Sequence, residues 1–141
     1  MTKMLVICKR IMFVQAVQSH LSNNDIELIF ICTHPAIALR CYQSFQPDIV
    51  FMDANWSHPV YLMSGIDLVK SLIDFDPAVR IIVTSIIHEP LLLERMKAAG
   101  VKGYFSKIGK NVLHEIITCI KIVRGGGSYY GPADTALHSE L

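Results

Sequence analysis

Short apolar runs rich in β-branched residues alternate along the chain with stretches whose apolar positions recur every three or four residues. Residues 4–8, 27–32, 48–52, 79–85 and 101–105 read as strands. The first four are almost continuous in Ile, Val, Leu, Phe and Met, with little polar alternation, which predicts strands covered on both faces, as in a parallel sheet. Between them, Ile11, Val14, Val17 and Leu21 mark one amphipathic helix. Thr33 as a cap, with Pro35 in the first turn, predicts a second that ends near Phe45, before Pro47. Ile66, Val69, Leu72 and Ile73 form a third stripe, closed by Asp76-Pro77. Pro90 opens a fourth helix, which carries Leu92, Leu93, Met96 and Ala99 and stops at Gly100. Leu113, Ile116, Ile117, Ile120 and Val123 make the last, stopped by Gly125-Gly126-Gly127.

The order is strand–helix repeated five times with short connections. Right-handed crossovers then give an α/β fold, a doubly wound five-stranded parallel sheet with helices on both faces. Ligands of such sheets bind at the carboxyl ends of the strands, near the topological switch point. The residues to examine are therefore 8–10, 53–55, Thr84 and Ser85, and Ser106 and Lys107. One domain over residues 1–124 is expected, followed by a linker or tail over residues 125–141.

A length of 141 residues suits a single domain, and 52% hydrophobic against 18% charged residues suits a sheet buried on both faces. The formal net charge of +1 gives no basic excess, so direct nucleic-acid binding by this segment is not expected. Cys8, Cys32, Cys41 and Cys119 are far apart with no Cys-x-x-Cys pair, which predicts buried reduced thiols instead of a zinc or redox motif. No secretory leader pattern is visible and no apolar run approaches a bilayer span, so a cytoplasmic protein without membrane association is expected.

Asp53 follows a buried strand at the point where it leaves the sheet. On its own it reads as a turn or cap acid. Thr84 and Lys107 at the ends of neighbouring strands change that picture. A carboxylate can attack phosphorus, a hydroxyl can donate to a phosphoryl oxygen, and an ammonium can neutralise another, as acyl-phosphate chemistry requires.

Three stretches carry a family resemblance. Gln46-Pro-Asp-Ile-Val-Phe-Met-Asp53 resembles the phosphoacceptor strand of response-regulator receiver domains. Val79-Arg-Ile-Ile-Val-Thr84-Ser85 resembles their fourth strand. Ala98-Ala-Gly-Val-Lys-Gly-Tyr104-Phe-Ser-Lys107 is similar to the Ala-x-Gly-Ala-x-Gly-Tyr-x-x-Lys pattern around their fifth strand. The resemblance spans roughly residues 3–124 and implies the flavodoxin-like receiver fold of two-component signalling. It further implies Asp53 as phosphoacceptor, Thr84 as the hydroxyl that follows the phosphoryl group, Lys107 as its charge partner and Tyr104 as the switch aromatic. Tyr104 also fits a plain packing role. Asn55 takes the position whose backbone carbonyl ligates magnesium in the family.

The departure lies at the end of the first strand. Receivers place two adjacent acids there to hold a divalent cation, whereas this chain has Cys8 and Lys9, followed by Arg10. Magnesium wants oxygen ligands in octahedral geometry, so no metal site is expected, with Asp53 and Asn55 as its remnants. If Lys9 points into the cluster, its ammonium beside Asp53 would depress the carboxyl pKa, commonly by about 1–3 units. If it points outward it is a surface lysine. An ammonium cannot bridge entering and leaving oxygens as a metal does, which predicts weakened or lost phosphorylation. The loop from Trp56 to Gly65 is longer than the family's usual turn, and Trp56 and Tyr61 could roof the pocket or pack on the third helix. His58, His88 and Cys8 lack the spacing of a transition-metal site and read as ordinary loop and core residues. Arg80 and Lys102 read as solvated charges flanking strands.

The resemblance places an output and homodimerisation face on the fourth helix, fifth strand and fifth helix, here about residues 89–100, 101–105 and 109–124. Residues 120–132 resemble the linker that precedes a helix-turn-helix domain in transcriptional response regulators. A histidine kinase is the implied phosphodonor. Two readings follow: a conventional switch modified on Asp53 with magnesium, or a pseudo-receiver serving as a non-catalytic interaction module. Cys8-Lys9 favours the second. A small-molecule-binding doubly wound domain is disfavoured, because no Gly-x-Gly-x-x-Gly follows the first strand.

Overall fold

The computed structural model describes residues 1–9, 11–54, 65–85, 90–106 and 112–131. Strands and helices alternate as β1 (Thr2–Ile7), α1 (Ile11–Asn23), β2 (Ile26–Cys32), a 3-10 turn (Pro35–Ile37), α2 (Ala38–Phe45), β3 (Ile49–Asp53), α3 (Gly65–Phe75), β4 (Ile81–Ser85), α4 (Pro90–Ala99), β5 (Gly103–Ser106), α5 (Val112–Arg124) and β6 (Tyr129–Tyr130). The strands form one sheet in the order β2-β1-β3-β4-β5-β6, with every pairing parallel.

Side chains alternate between the faces of a strand, so a strand buried on both faces must be apolar at every position. Leu5 and Ile7 of β1, with Val50 and Met52 of β3, pack against Leu68, Val69 and Leu72 of α3 and Leu93 and Met96 of α4. Met4 and Val6 of β1, with Ile49 and Phe51 of β3, face Val14, Val17 and Leu21 of α1 and Ile116, Ile120 and Val123 of α5. Two apolar layers on one sheet account for the continuous runs of β1, β3 and β4. Each fully buried Leu, Ile or Val contributes roughly 1.5–3 kcal/mol.

Three expectations need correction. The sheet has six strands, because Tyr129–Tyr130 adds to the outer edge of β5. The strand β2 lies at the opposite edge and is only partly covered: Ile26 and Cys32 are buried, while Phe30 stays exposed and stacks on Phe45 with ring centroids 4.9 Å apart. Its apolar run thus reflects edge packing between α1 and α2. Thr33 does not cap the second helix either. The turn starts from His34 without a side-chain cap, Pro35 sits in its first position, and α2 follows from Ala38.

Two glycines are required, one by packing and one by backbone conformation. A Cβ on Gly103 would lie 2.8 Å from Cys119 Sγ and 2.9 Å from Ile82 Cγ1, so its absence lets α5 sit close on β5. Gly126 has φ +98, a left-handed conformation that turns the chain from α5 back toward the sheet.

Candidate functional site

The carboxyl ends of β1, β3, β4 and β5 come together at one edge of the sheet, and register decides which side chains meet there. Asp53, last in β3, is the partner of Thr84 in β4. The Ala54 N–H donates to the Thr84 carbonyl at 2.8 Å, which holds the two strand ends level. The Thr84 hydroxyl then donates to Asp53 Oδ1 at 3.3 Å. From the other side, the backbone N–H of Lys9 donates to Asp53 Oδ2 at 3.1 Å. Asp53 is half-buried, whereas Thr84 and its neighbours Ser85 and Ser106 are buried. Ser85 and Ser106 are themselves register partners, so hydroxyls line the β4–β5 side of this edge.

The end of β1 is built differently. Cys8 continues the strand's hydrogen bonding, its N–H donating to the Cys32 carbonyl at 2.9 Å. Its side chain is 2% exposed and belongs to the apolar layer with Val6, Val14, Phe51 and Phe105. Lys9 is exposed, and its hydrogen bond to Asp53 runs through the main chain. A backbone donor therefore reaches the carboxylate from the end of β1.

Tyr104 is buried in the layer under α2, α3 and α4, level with Val83 on one side and Tyr130 on the other. The structure thus brings together Asp53, Thr84 and the Lys9 backbone, with Cys8 behind them in the core and Tyr104 one strand further. Lys107, Asn55, Arg10, Trp56, Tyr61, His58 and His88 lie outside the described residues. Among the described residues, no group of three His, Cys, Asp or Glu side chains converges as metal ligands would. All four cysteines are buried, and burial pushes the Cys32 thiol up to about 11. No helix among the described residues is long and apolar enough to cross a membrane.

Sequence reasoning missed the strand β6 and its partners Glu115 and Lys97. Tyr129 donates to Glu115 Oε1 at 3.2 Å, and the Lys97 ammonium lies 4.5 Å from the centre of the Tyr130 ring. The adjacent pair of aromatics after the glycine triplet was the available signal.

Residues 5–118 match the family model of the response regulator receiver domain. Over 98 residues the chain is 26% identical to the transcriptional regulatory protein DegU of Brevibacillus brevis, covering 70% of this chain and 39% of that protein. Over 117 residues it is 26% identical to the DNA-binding transcriptional activator EvgA of Escherichia coli strain K12, covering 83% of this chain and 54% of that one. The chain thus spans about half or less of the length of these curated relatives. Among solved structures, a LuxR-family two-component response regulator from Aurantimonas sp. SI85-9A1 superposes with a TM-score of 0.85 at 18% identity, covering 99% of this chain and 96% of that one. The receiver domain of the putative response regulator NarL from Mycobacterium tuberculosis gives 0.76 at 18% identity, covering 89% and 97%. At such identities the structural likeness carries the fold, and the family model carries the assignment. Apolar layers, strand order and sequence match agree: this chain belongs to the response regulator receiver domain family of two-component signalling.

Proposed function

We propose that this receiver is an atypical one, a pseudo-receiver, in which magnesium-dependent phosphorylation of Asp53 is weakened or lost. The observation that carries this is the end of β1, where a thiol buried in apolar core and the main-chain N–H of an exposed lysine stand in place of two acids. Magnesium needs an octahedron of oxygens. A core thiol offers none, and an N–H aimed at Asp53 Oδ2 occupies a carboxylate oxygen with a donor. Among the described residues, those at the end of β1 do not fit a magnesium site.

The module works through its surfaces. The face of α4, β5 and α5 is the proposed contact with a second copy and with an output domain that regulates transcription, in keeping with relatives described as DNA-binding activators. This segment itself is not the DNA-binding part, and a cytoplasmic location suits the role. A histidine kinase is the partner to test, with Lys107 as the charge partner of any phosphoryl group on Asp53 and Tyr104 as the switch aromatic. Receiver domains are generally not enzymes, and here any chemistry would be confined to self-modification of Asp53.

The conventional reading, a phosphoaccepting switch, is favoured by one observation: Asp53 and Thr84 remain level and hydrogen-bonded. Incubation with acetyl phosphate and magnesium, followed by intact mass, separates the two. The proposal expects no aspartyl-phosphate adduct, or only a trace. A stoichiometric adduct that vanishes in Asp53→Ala would establish the conventional switch.

A further inference from the structure

The strand β6 is held by contacts that all lie between a short segment and one surface. Gly103 and Tyr104 of β5 pair with Tyr129 and Tyr130, and the Tyr129 N–H donates to the Lys102 carbonyl at 2.9 Å. The Tyr130 hydroxyl donates to the Val101 carbonyl at 2.8 Å, and the Lys97 ammonium of α4 sits over its ring. On the other flank the Tyr129 hydroxyl donates to Glu115 of α5. Burial raises the Glu115 carboxyl and, to about 12, the Tyr129 hydroxyl, so the phenol keeps its proton as donor. A Cβ on Gly131 would collide with Glu115 Oε1 and approach the Tyr129 ring to 2.7 Å, which fixes the phase of the segment on the surface. The result is strand addition to a sheet edge, with main-chain bonds supplying affinity and two aromatic side chains supplying register.

The segment is joined to α5 by a turn of three consecutive glycines. Gly125, Gly126 and Gly127 donate to the carbonyls of Lys121, Val123 and Ile122 at 3.1, 3.0 and 2.9 Å, closing the helix and reversing the chain. Gly126 is left-handed, and a Cβ there would meet nothing within 4 Å. Opening this turn gives up only its own few hydrogen bonds. Every contact of β6 itself can be remade on an identical surface, which is the condition for exchanging an element between copies.

We propose that the surface made by the β5 edge, Lys97, Val101 and Glu115 takes β6 from a second copy of this chain as well as from its own. This rests on the pairing of two copies proposed above, and names the contact that makes it. In the exchanged pair each copy contributes Tyr129 and Tyr130 to the other's β5, and whatever follows Gly131 is carried on the partner. The closed arrangement dominates at low concentration, because the short tether gives the chain's own strand a high effective concentration.

The test uses the full chain. In Gly126→Val a β-branched residue is forced toward a left-handed conformation that L side chains resist, so the closed turn is penalised and the exchanged pair is not. Sedimentation velocity across concentrations should show self-association tightened by about tenfold or more relative to the parent. Amide exchange should find the Tyr129 N–H still protected in that dimer. Adding Tyr129→Ala and Tyr130→Ala should abolish the gain and leave monomer. Deletion of Gly126 provides a second route, since a shortened hinge cannot return β6 to its own β5. If Gly126→Val tightens association but the tyrosine changes leave it intact, exchange is overturned while pairing through the face stands. If neither hinge variant tightens association, exchange is overturned outright. The parent's own association, measured alongside, reports separately on pairing.

Discussion

The end of β1 and the paired ends of β3 and β4 lie side by side on the same sheet edge, yet they are built on opposite principles. At β3 and β4, register sets Asp53 against Thr84, and a main-chain bond from Ala54 to Thr84 keeps the ends level. At β1 the corresponding residues divide: Cys8 is buried in the core and Lys9 is exposed. The difference teaches that the sheet positions a carboxylate regardless of what its neighbours can ligate. Position comes from hydrogen-bonded register, whereas metal chemistry would come from two side chains that the fold does not need.

The largest effect should come from inverting that division. Cys8→Asp would bury a carboxylate among Val6, Val14, Phe51 and Phe105. A loss of about 3 kcal/mol in urea unfolding is expected. Lys9→Asp, at the exposed neighbour, should shift stability by less than about 0.5 kcal/mol. Equal effects at the two positions would break the comparison.

A smaller effect is expected at Thr84. Thr84→Val keeps the shape and removes the hydroxyl donor, but its bond to Asp53 is long at 3.3 Å. A loss of about 1 kcal/mol is expected by chemical denaturation. A loss several times larger would mean that the hydroxyl, and not the register, holds the strand ends together.

The smallest effect lies remote from the site. The Tyr42 hydroxyl donates to Asp76 Oδ2 at 2.6 Å. That bond, with a second from the Ala78 N–H, holds the Asp76 carboxyl below its ordinary range, while burial and Asp76 raise the Tyr42 phenol. A depressed carboxyl pKa contributes stability that is present above its unfolded value of 3.8 and lost as pH falls through the folded one. Tyr42→Phe should therefore be slightly less stable than the parent at neutral pH and indistinguishable from it well below pH 3.8. Parallel curves over that whole range would assign the acid dependence elsewhere.

Much of this was legible in the chain. The continuous runs of β1, β3 and β4 announced a sheet covered on both faces, and the residues before Asp53 and around Thr84 placed both at strand ends. The strand β2 misled because a sheet edge covered by stacked rings, Phe30 on Phe45, looks as apolar as a buried one. The strand β6 was invisible because two residues carry no period, and glycines on both sides read as linker. Cys8 and Lys9 stand out in the sequence as a departure from the resemblance, but only coordinates place one in the core and leave the other exposed. No periodicity could have foreseen that a main-chain N–H, as well as any side chain, would meet Asp53.

The central claim is that this strand end no longer fits magnesium, and calorimetric titration of the parent with magnesium chloride tests it most directly. No saturable binding is expected up to millimolar concentrations in the parent, and a measurable gain is expected in Lys9→Asp. Saturable binding in the parent that disappears in Asp53→Asn would contradict it.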